Sequence, residues 1–481
     1  MRLKELIKKL KISLEDDFEV AGITCNSKEV RPNFVFVAVK GTKEDGHKFI
    51  KEAINNGARA VIVQSKDYRL KSRKRVPMIV VQNTRKVIAE LASEFYGNPS
   101  RKLKVIGITG TNGKTTVSYL IEGILKEAGF NPAVIGTINY RFGDLVMAAK
   151  NTTPGPLELQ SLLAKMLKKG VDYLVMEVSS HALDQERTRG IDFYAGIFTN
   201  LTHDHLDYHK TQDDYFQAKT KLFKGLKKKA MAIINHDDIY GRRIEALTSA
   251  QLITYGIENA SDIMAYNINL NMTHTEFCLK AKEKELILIT KLIGRYNVYN
   301  ILAAIAFTLN EGISLEKIKI ALEKFSFVPG RLERIDTKKG YFVFVDYAHT
   351  EDALKNVLIT LRELARGRVI VVFGCGGERD KTKRPKMGKV VSELADYAII
   401  TSDNPRSEDP RQIISQIQKG MRNNNYSIVI DRRQAIKRSL ALAKTGDIVL
   451  IAGKGHENYQ VLKDTRLPFD DRKVVRECLK F

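Results

Sequence analysis

Short apolar runs of strand length alternate along the chain with stretches whose apolar residues recur every three or four positions. The first pattern is typical of β-strands and the second of amphipathic α-helices. The predicted strands include 34–39, 60–64, 78–81, 173–178, 196–200, 230–235, 342–346, 369–373, 397–401, 427–430 and 447–452. The predicted helices include 48–56, 84–95, 213–219 and 297–309, and the stretch 250–293 resembles hairpins. Strands that alternate with helices predict an α/β fold with mostly parallel sheets.

Two groups of turn-forming residues divide this pattern. Tyr96-Gly97-Asn98-Pro99-Ser100 follows a predicted helix, and Val328-Pro329-Gly330 precedes a second series of strands. A chain of 481 residues should form about three domains at roughly 150 residues each. We therefore predict a small α/β domain over 1–100, a central domain with a mostly parallel sheet over 101–329 and a doubly wound domain over 330–481.

The charge balance narrows the class of partner. Lysine and arginine outnumber aspartate and glutamate by 79 to 56, a formal net charge of +23. Such a balance suits either nucleic acid or small polyanionic substrates. Because the lysines are spread evenly and form no patch with interleaved aromatic residues, we favour phosphorylated small molecules and expect no nucleic-acid partner.

The sequence pattern is that of a cytoplasmic protein. No apolar run approaches the ~20 residues of a membrane span. The amphipathic helix predicted over 1–10 carries charges throughout and lacks the apolar core of a signal peptide. The four cysteines lie far apart without C-x-x-C spacing, which argues against a disulfide framework and against a cysteine-bound zinc. We expect a cytoplasmic monomer without a membrane span.

The segment Gly107-Ile108-Thr109-Gly110-Thr111-Asn112-Gly113-Lys114-Thr115-Thr116 carries the clearest chemistry. It follows a strand-like lead-in and opens onto a helical pattern, which is the layout of a phosphate-binding loop. The loop amides and the helix N-terminus would face an anion, Lys114 would add a cation, and the Thr115 hydroxyl can reach Mg²⁺. The strict pattern places glycine where Ile108 stands, so this is a variant loop. It predicts binding of a nucleoside triphosphate.

Glu177 lies near the carboxyl end of the predicted strand over 173–178, in the same domain as the phosphate loop. A carboxylate at the carboxyl end of a strand near such a loop is a candidate Mg²⁺ ligand. On its own, Glu177 is equally typical of a surface residue that pairs with a lysine.

A cluster of imidazoles and carboxylates follows the next strand. The spacing H-x-H-x-x-x-H can ligate zinc, whereas Mg²⁺ would favour oxygen ligands with at most one imidazole. His203 and Asp204 can equally cap the next helix. The cluster consists of His203, Asp204, His205, Asp207 and His209. Similarly, Asn297 suits either a helix cap or an adenine edge.

Three polar loops follow three strands of the predicted C-terminal sheet, so they should meet at one edge. Arg379 and Arg406 offer guanidinium groups to a carboxylate, and Asp403 and Glu457 offer anions to an ammonium group. Both charge types together suit a zwitterionic amino acid, although each loop alone is also typical of a surface turn. The loops are 373–380, 402–406 and 453–457.

In this order, the motifs resemble those of the Mur ligase family, and the resemblance covers essentially the whole chain. The family's phosphate loop reads T-G-T-N-G-K-T-T, which accounts for Ile108. The resemblance implies a UDP-binding domain, a central ATPase domain and a C-terminal amino-acid-binding domain. It further implies an ATP-dependent ligase with two Mg²⁺ ions that acts in peptidoglycan synthesis. The implied reaction adds meso-diaminopimelate to the D-Glu γ-carboxylate of UDP-MurNAc-L-Ala-D-Glu through an acyl phosphate.

The resemblance also implies roles for individual residues. The ATP contacts would be Gly110, Thr111, Asn112, Gly113, Lys114, Thr115, Thr116, Asn297, Arg331 and Asp346. The metal ligands would be Thr115, Glu177, His205 and Lys219, and Lys219 would be carbamylated to N6-carboxylysine. The implied catalytic residues are Lys114, Glu177, His205 and Lys219. The UDP-MurNAc-dipeptide contacts would be Cys25, Ser27, Thr42, Lys43, Glu44, Asn151, Thr152, Thr153, Ser179, Gln185 and Arg187. The amino-acid contacts would be Arg379, Asp403, Asn404, Pro405, Arg406, Gly453 and Glu457.

Three alternatives remain. The same ligase can add L-lysine or another diamino acid, but Arg406 matches the arginine that pairs with the distal carboxylate of diaminopimelate. Folylpolyglutamate synthase shares the ATPase core, but the N-terminal domain and the Asp403-Asn404-Pro405-Arg406 loop disfavour it. A nucleotide-dependent nucleic-acid-binding protein fits the charge and leaves the three C-terminal loops unexplained.

Overall fold

The computed structural model describes residues 1–12, 14–41, 44–64 and 76–480. Two of the predicted UDP contacts, Thr42 and Lys43, lie outside the described residues. Across the described ranges, helices with both the length and the apolarity to traverse a bilayer are absent.

The chain divides into two compact units that are not continuous in sequence. The first unit contains 1–107, 130–196 and 221–230, and the second contains 108–129, 197–220 and 231–481. The predicted bounds at 100 and 329 therefore stay predictions.

The N-terminal segment of the first unit forms a parallel sheet with its strands in chain order. Val35, Val37, Ala60 and Ile62 are fully buried on one side of it, as expected for a parallel sheet. The strands are β1 (Gly22–Thr24), β2 (Phe34–Val37), β3 (Ala58–Val63) and β4 (Met78–Val80), and the helices are α1 (Leu3–Leu6), α2 (Ile50–Asn55) and α3 (Thr84–Phe95).

The predicted N-terminal helix over 1–10 was wrong in its length. Helix α1 ends at Leu6, and a separate 3₁₀ turn covers Lys8–Leu10. Leu3, Leu6 and Ile7 are buried in the core, so packing holds this segment against the sheet. The left-handed backbone of Lys11, with φ of 54°, then ends the turn.

The middle of the chain supplies eleven further strands and eight helices. The strands are β5 (Lys104–Thr109), β6 (Pro132–Ile135), β7 (Asn139–Phe142), β8 (Leu145–Ala148), β9 (Tyr173–Glu177), β10 (Phe193–Phe198), β11 (Met231–Asn235), β12 (Gln251–Gly256), β13 (Ile263–Leu270), β14 (Thr275–Ala281) and β15 (Lys284–Thr290). The helices are α4 (Lys114–Glu127), α5 (Pro156–Lys168), α6 (Ser180–Asp184), α7 (Leu206–His209), α8 (Gln212–Lys224), α9 (Ile239–Glu245), α10 (Arg295–Asn310) and α11 (Leu315–Lys324).

Burial in these strands follows the type of pairing. In the first unit β9 pairs in parallel with β6, and all five of its residues are buried. In the second unit β13, β14 and β15 are antiparallel, and β14 alternates between buried and more exposed residues. Parallel strands covered on both faces are continuously apolar, whereas antiparallel strands often expose one face. The hairpins predicted over 250–293 are confirmed at β13–β15.

The C-terminal segment forms a doubly wound sheet in the second unit, as predicted. Its strand order is β16-β17-β21-β18-β19-β20, and all pairs except β16–β17 are parallel. Helices α12–α14 pack on one face and α15–α16 on the other. The strands are β16 (Glu333–Ile335), β17 (Phe342–Asp346), β18 (Val369–Phe373), β19 (Tyr397–Ile400), β20 (Tyr426–Ile428) and β21 (Ile448–Ala452), followed by the hairpin β22 (Tyr459–Leu462) and β23 (Thr465–Pro468). The helices are α12 (Glu351–Leu364), α13 (Lys383–Leu394), α14 (Pro410–Gln418), α15 (Arg432–Leu442) and α16 (Asp471–Leu479).

Candidate functional site

The predicted phosphate loop joins β5 to α4, so the predicted layout of strand, loop and helix is confirmed. Residues behind the loop hold its backbone in place. Asn200 accepts hydrogen bonds from the Thr111 amide at 2.8 Å, through its carbonyl, and from the Asn112 amide at 3.0 Å, through Oδ1. The Thr199 hydroxyl donates to the Asn112 carbonyl at 2.6 Å. Residues of the protein itself therefore hold the loop backbone.

Two glycines of the loop have no room for a side chain. Gly110 has φ of 149°, and a Cβ there would lie 1.9 Å from Thr199 Oγ1. Gly113 has φ of 87°, and a Cβ there would lie 2.3 Å from Asn300 Oδ1. Gly113 is also the residue before α4, where the free amides of the helix begin. The glycines thus allow both the turn and the close packing.

We predict that Gly113→Ala will weaken ATP binding by at least about tenfold, because the loop must move away from Asn300 and its amides lose their alignment. Gly129→Ala is a matched control, since Gly129 follows the same helix, has φ of 92° and has open space around its Cβ position. Calorimetric titration with ATP measures the effect. Equal affinities of the two variants would contradict the prediction.

Lys114 is the first residue of α4, and its ammonium lies against the loop itself. Its Nζ donates to the carbonyl oxygens of Gly110 at 2.9 Å and Thr111 at 2.7 Å. A cation held this close to the loop amides is placed to meet a phosphate oxygen.

The side chain of Lys219, on α8, also contacts the phosphate loop. It is only 1% exposed, and its Nζ donates to the Gly110 carbonyl at 2.8 Å and lies 4.4 Å from the centre of the Tyr215 ring. Burial and the neighbouring Lys114 cation lower the pKa of Lys219 well below its usual value, and the Asp204 carboxylate offsets this only in part. The structure therefore favours the neutral, nucleophilic amine at this position.

Arg331 approaches the first turn of α4. Its Nη2 donates to the Thr115 hydroxyl at 3.1 Å, and its guanidinium lies 4.6 Å from the centre of the Tyr347 ring. Asp346, at the end of β17, accepts the amide of Leu332 at 2.5 Å and so anchors the segment that carries Arg331. Burial raises the pKa of Asp346. The structure thus brings these two predicted ATP residues together.

Asn297 is 4% exposed and lies inside α10, which begins at Arg295 after Gly294. Its Nδ2 donates to the Ile293 carbonyl at 2.8 Å, and its Oδ1 accepts from Asn300 at 3.1 Å. The helix-cap alternative was wrong, because Gly294 holds the position before the helix.

The structure does not bring the described residues of the imidazole cluster together as a three-ligand metal group. Over residues 1–12, 14–41, 44–64 and 76–480, no three His, Cys, Asp or Glu side chains lie close enough to hold a metal ion together. His205 precedes α7 with φ of 56°, and its Nε2 lies 3.5 Å from Asp204 Oδ2. The His209 ring is buried, with its centre 5.2 Å from that of Tyr215.

Glu177 belongs to the first unit, where it is 1% exposed at the end of β9. Its two carboxylate oxygens accept the amide and the hydroxyl of Thr137, each at 2.9 Å. The same Thr137 hydroxyl lies 3.0 Å from that of Thr152. Glu177 is therefore a buried, oriented carboxylate rather than a surface residue.

The predicted dipeptide contacts of the central segment converge around Glu177. The Thr153 hydroxyl donates to the Glu177 carbonyl at 2.9 Å and accepts the Ser179 amide at 3.0 Å. Arg187 donates to the Thr153 carbonyl at 3.0 Å and to Gln185 Oε1 at 2.7 Å. Next to them, Tyr140 donates to the Asn151 carbonyl at 2.5 Å. Residues up to 36 positions apart in the sequence therefore form one hydrogen-bonded polar cluster in the first unit.

The predicted UDP contacts near the N-terminus are less closely tied to each other. The Ser27 hydroxyl is buried and donates to Glu52 at 2.7 Å, whereas Cys25 is exposed. The Glu44 carbonyl accepts the Gly41 amide at 2.8 Å. Their role in UDP binding stays a prediction.

The three C-terminal loops meet at one edge of the sheet, as predicted, with Asn404 at the centre. Asn404 donates to Glu457 at 2.8 Å and accepts from Lys454 at 3.1 Å. Lys454 is fully buried and also donates to Glu457 at 2.9 Å. Asp403 lies beside Gly453, where a Cβ would stand 2.6 Å from its Oδ2. Two carboxylates and one ammonium group thus share this edge.

Arg406 and Arg379 approach each other above Gly376, where a Cβ would lie 3.0 Å from Arg406 Nη1 and 3.8 Å from Arg379 Cγ. Burial, together with the Arg379 cation, lowers the pKa of Arg406. The Pro405 carbonyl packs directly against Gly377, where a Cβ would lie 1.9 Å from the carbonyl oxygen. Two arginine side chains therefore lie beside Gly376, and a guanidinium group is suited to pair with a carboxylate.

The sequence did not single out Lys454, Asn200 or Asp352. Asp352 accepts from Asn112 Nδ2 at 2.8 Å and from the Thr202 hydroxyl at 3.1 Å, so it fixes the phosphate loop from 240 residues away. Lys454 lies in the polar loop 453–457, and its place in that loop is the one feature of the sequence that could have indicated its role. Contacts of such long sequence separation leave no periodic signal.

Comparisons with known proteins match this arrangement. The Mur ligase family, catalytic domain matches residues 19–96, the Mur ligase middle domain 108–308, and the Mur ligase, glutamate ligase domain 330–455. These segments confirm the predicted three-domain α/β organisation.

Two similar proteins and one solved structure share the name UDP-N-acetylmuramoyl-L-alanyl-D-glutamate–2,6-diaminopimelate ligase. The protein of this name from Syntrophomonas wolfei is 45% identical over 100% of this chain and 99% of its own length. That from Clostridium tetani is 46% identical over 100% of this chain and 99% of its own length. A solved structure of the same name is 32% identical with a TM-score of 0.72, and the match covers 99% of this chain and 98% of that one. With three matched domains and relatives of such identity over its full length, this chain belongs to the Mur ligase family.

Proposed function

We propose that this enzyme uses ATP to join 2,6-diaminopimelate, in its meso form, to the D-Glu γ-carboxylate of UDP-MurNAc-L-Ala-D-Glu in peptidoglycan synthesis. The observation that carries the proposal is the edge of the C-terminal sheet, where Arg379 and Arg406 lie near the carboxylates Asp403 and Glu457. That edge offers partners for an amino acid with an additional carboxylate. The similar proteins named above, which span the whole chain, support the same substrate class.

The residues of the second unit suit phosphoryl transfer. A carboxylate is a poor electrophile, so amide synthesis needs activation. ATP would lie with its phosphates on the amides from Gly110 to Thr116, and Lys114 would stabilise the γ-phosphoryl group as it moves to the carboxylate oxygen. The amine of diaminopimelate would then attack the acyl phosphate carbonyl, and inorganic phosphate would leave from the tetrahedral intermediate.

The donor atoms of the proposed ligands fit Mg²⁺ when Lys219 is modified. The Thr115 hydroxyl and the Glu177 carboxylate are oxygen donors of the kind that Mg²⁺ prefers. An ammonium group is no ligand, but the neutral amine favoured at Lys219 can attack CO₂ and lose a proton, which yields a carbamate anion. Bound Mg²⁺ would supply charge neutralisation at the phosphates. The assignment of Thr115, Glu177, His205 and Lys219 as ligands of two ions stays part of this proposal.

Arg406 is proposed to pair with the distal carboxylate of diaminopimelate. We predict that Arg406→Ala will raise the KM for diaminopimelate by about tenfold or more, because a charge-assisted pair is lost, and will leave the KM for ATP within about twofold. Steady-state phosphate release at varied concentrations of each substrate measures both constants. Arg411→Ala, an exposed change on α14, is the control. Equal effects on the two KM values would contradict the specificity assignment.

An amino-acid panel tests the proposed substrate against its alternatives. With UDP-MurNAc-L-Ala-D-Glu and ATP present, meso-diaminopimelate should support faster phosphate release than L-lysine. A preference for L-lysine would favour the lysine-adding alternative, and activity only with a folate and glutamate would favour the folylpolyglutamate synthase alternative. Nucleic-acid binding that persists at physiological salt would favour the nucleic-acid-binding alternative. A cytoplasmic location and a monomeric state are further parts of the proposal.

A further inference from the structure

Arg384, which is fully buried, forms an ion pair with the partly exposed Glu408 next to the C-terminal loops. Arg384 is the second residue of α13 and has no exposed surface. Its Nη1 donates to Glu408 Oε2 at 2.8 Å, and its Nη2 donates to Glu408 Oε1 at 3.0 Å. Such a two-point guanidinium–carboxylate contact fixes the orientation of both groups.

The pair also binds the backbone of the loop that follows β18. Arg384 Nη2 donates to the Gly376 carbonyl at 3.0 Å, and Glu408 Oε1 accepts the Glu378 amide at 2.5 Å. Because Glu408 itself follows β19, its carboxylate ties together the loops after two neighbouring strands. Gly377 adds a direct link through its amide, which donates to the Asn404 carbonyl at 2.9 Å.

The clamped loop in turn holds Arg406. Arg406 Nη1 donates to the Gly377 carbonyl at 2.6 Å and to the Asn404 carbonyl at 3.4 Å. The backbone of Arg406 is left-handed, with φ of 53°, so its side chain leaves the loop in a direction that the surrounding contacts must maintain. Within the described part of the chain, this guanidinium donates its hydrogen bonds through Nη1, so Nε and Nη2 can meet a ligand.

We propose that Arg384 and Glu408 are positioning residues that set selectivity for a diamino acid with a distal carboxylate, by holding the Gly376–Gly377 carbonyls where they orient Arg406. This inference rests on the proposed function, because it assigns a cause to the preference for diaminopimelate. It assigns neither residue a contact with substrate. A guanidinium group that is misaligned loses its two-point contact with a carboxylate. A small movement of the loop should therefore weaken the preference of the enzyme for diaminopimelate.

Glu408 should also remain a carboxylate near neutral pH. Hydrogen bonds from Arg384 lower the pKa of Glu408 from 4.5 to about 2, with the Glu378 amide and the Lys381 cation assisting. Because the pKa is lower in the folded protein, Glu408 contributes stability above pH 4.5 that is lost as the pH falls towards about 2. We predict that the difference in free energy of unfolding between wild type and Glu408→Gln shrinks through this window. Urea unfolding at pH 7, 4.5 and 3 measures it, and a difference that grows on acidification would contradict the prediction.

The test compares full-length Glu408→Gln with a second arginine-paired carboxylate of the same sheet, Asp447. Asp447 accepts the Arg368 amide at 2.8 Å and Arg368 Nη2 at 2.7 Å, but it precedes β21 and therefore lies at the opposite edge of the sheet. The measured quantities are the KM for meso-diaminopimelate, L-lysine and ATP, the kcat and the melting temperature.

Glu408→Gln should raise the KM for meso-diaminopimelate about tenfold, while the kcat and the KM for ATP stay within about twofold. Arg384→Lys, which keeps the charge and loses the fork, should show a smaller rise. Asp447→Asn should lower the melting temperature without changing the KM for diaminopimelate.

An unchanged KM for diaminopimelate in a folded Glu408→Gln would overturn the inference, as would equal increases for every substrate or the same increase in Asp447→Asn. If Glu408→Gln shows no cooperative melting, Arg384→Lys decides, and an unchanged KM for diaminopimelate there overturns the inference. A wild-type enzyme that fails to prefer diaminopimelate over lysine overturns the proposed function itself, before any variant is compared.

Discussion

Lys114→Met should reduce the kcat for phosphate release by roughly 10²–10³-fold, with the protein still folded. Removal of one preorganised donor to a developing charge has effects of about this size in other enzymes. Lys114 begins α4 and donates to two carbonyls of the phosphate loop, so it already lies at the proposed site of the γ-phosphoryl group. Methionine keeps the unbranched shape and most of the length of the side chain and removes the charge, so the loss should fall mainly on the chemical step. Single-turnover phosphate release at saturating ATP measures it.

Lys126→Met is the control for this prediction. Lys126 belongs to the same helix, but its ammonium pairs with Glu122 at 2.8 Å near the other end and is largely exposed. It should retain nearly the wild-type rate. A Lys114→Met enzyme with more than half of the wild-type kcat would exclude Lys114 from phosphoryl transfer.

Lys219→Ala should lose activity by roughly 100-fold or more, and short carboxylic acids such as acetate should restore part of it. Replacing even an outer partner of a metal ligand costs about 10–100-fold, so loss of a direct oxygen ligand should cost at least as much. The buried Lys219 amine, with its lowered pKa, is suited to carbamate formation, and alanine leaves a space that a small carboxylate can fill. Phosphate release with and without added acid measures both effects.

Lys221→Ala is the matched control, since Lys221 lies two residues further along the chain and is 41% exposed in its ion pair with Asp184. It should need no added acid. Full activity of Lys219→Ala without a carboxylic acid would refute the carbamate role. Intact-mass analysis of the wild-type protein should in addition show a CO₂ adduct that is absent from Lys219→Ala.

The parts of the fold that rest on local patterns were predictable from the sequence. Strands such as 342–346 and 369–373 are buried apolar runs, so their bounds agree with those of β17 and β18. Helix α3 likewise agrees with 84–95, because Asn83 caps it with a hydrogen bond to the Lys86 amide. The first helix was mispredicted because burial of Leu3, Leu6 and Ile7, rather than helix periodicity, decides its length.

The candidate site was predictable where glycine and charge mark a loop after a strand. The gathering of the three C-terminal loops follows from parallel strands that end at one edge, and the structure confirms it. The residues that hold these loops in place have no comparable sequence pattern. In the sequence, Arg384 and Glu408 are typical of surface charges, and only the fold buries Arg384 against the Glu408 carboxylate. Asp352 likewise meets Asn112 only through tertiary structure.

The central claim is that the D-Glu γ-carboxylate is activated as an acyl phosphate and then converted to the amide. The most direct test labels both oxygens of that carboxylate with ¹⁸O and follows the reaction with ATP and meso-diaminopimelate by mass spectrometry. Transfer of one carboxylate oxygen to the departing phosphate is required by this chemistry. We expect the released phosphate to carry one ¹⁸O atom for each amide formed. Amide formation with unlabelled phosphate would contradict the account.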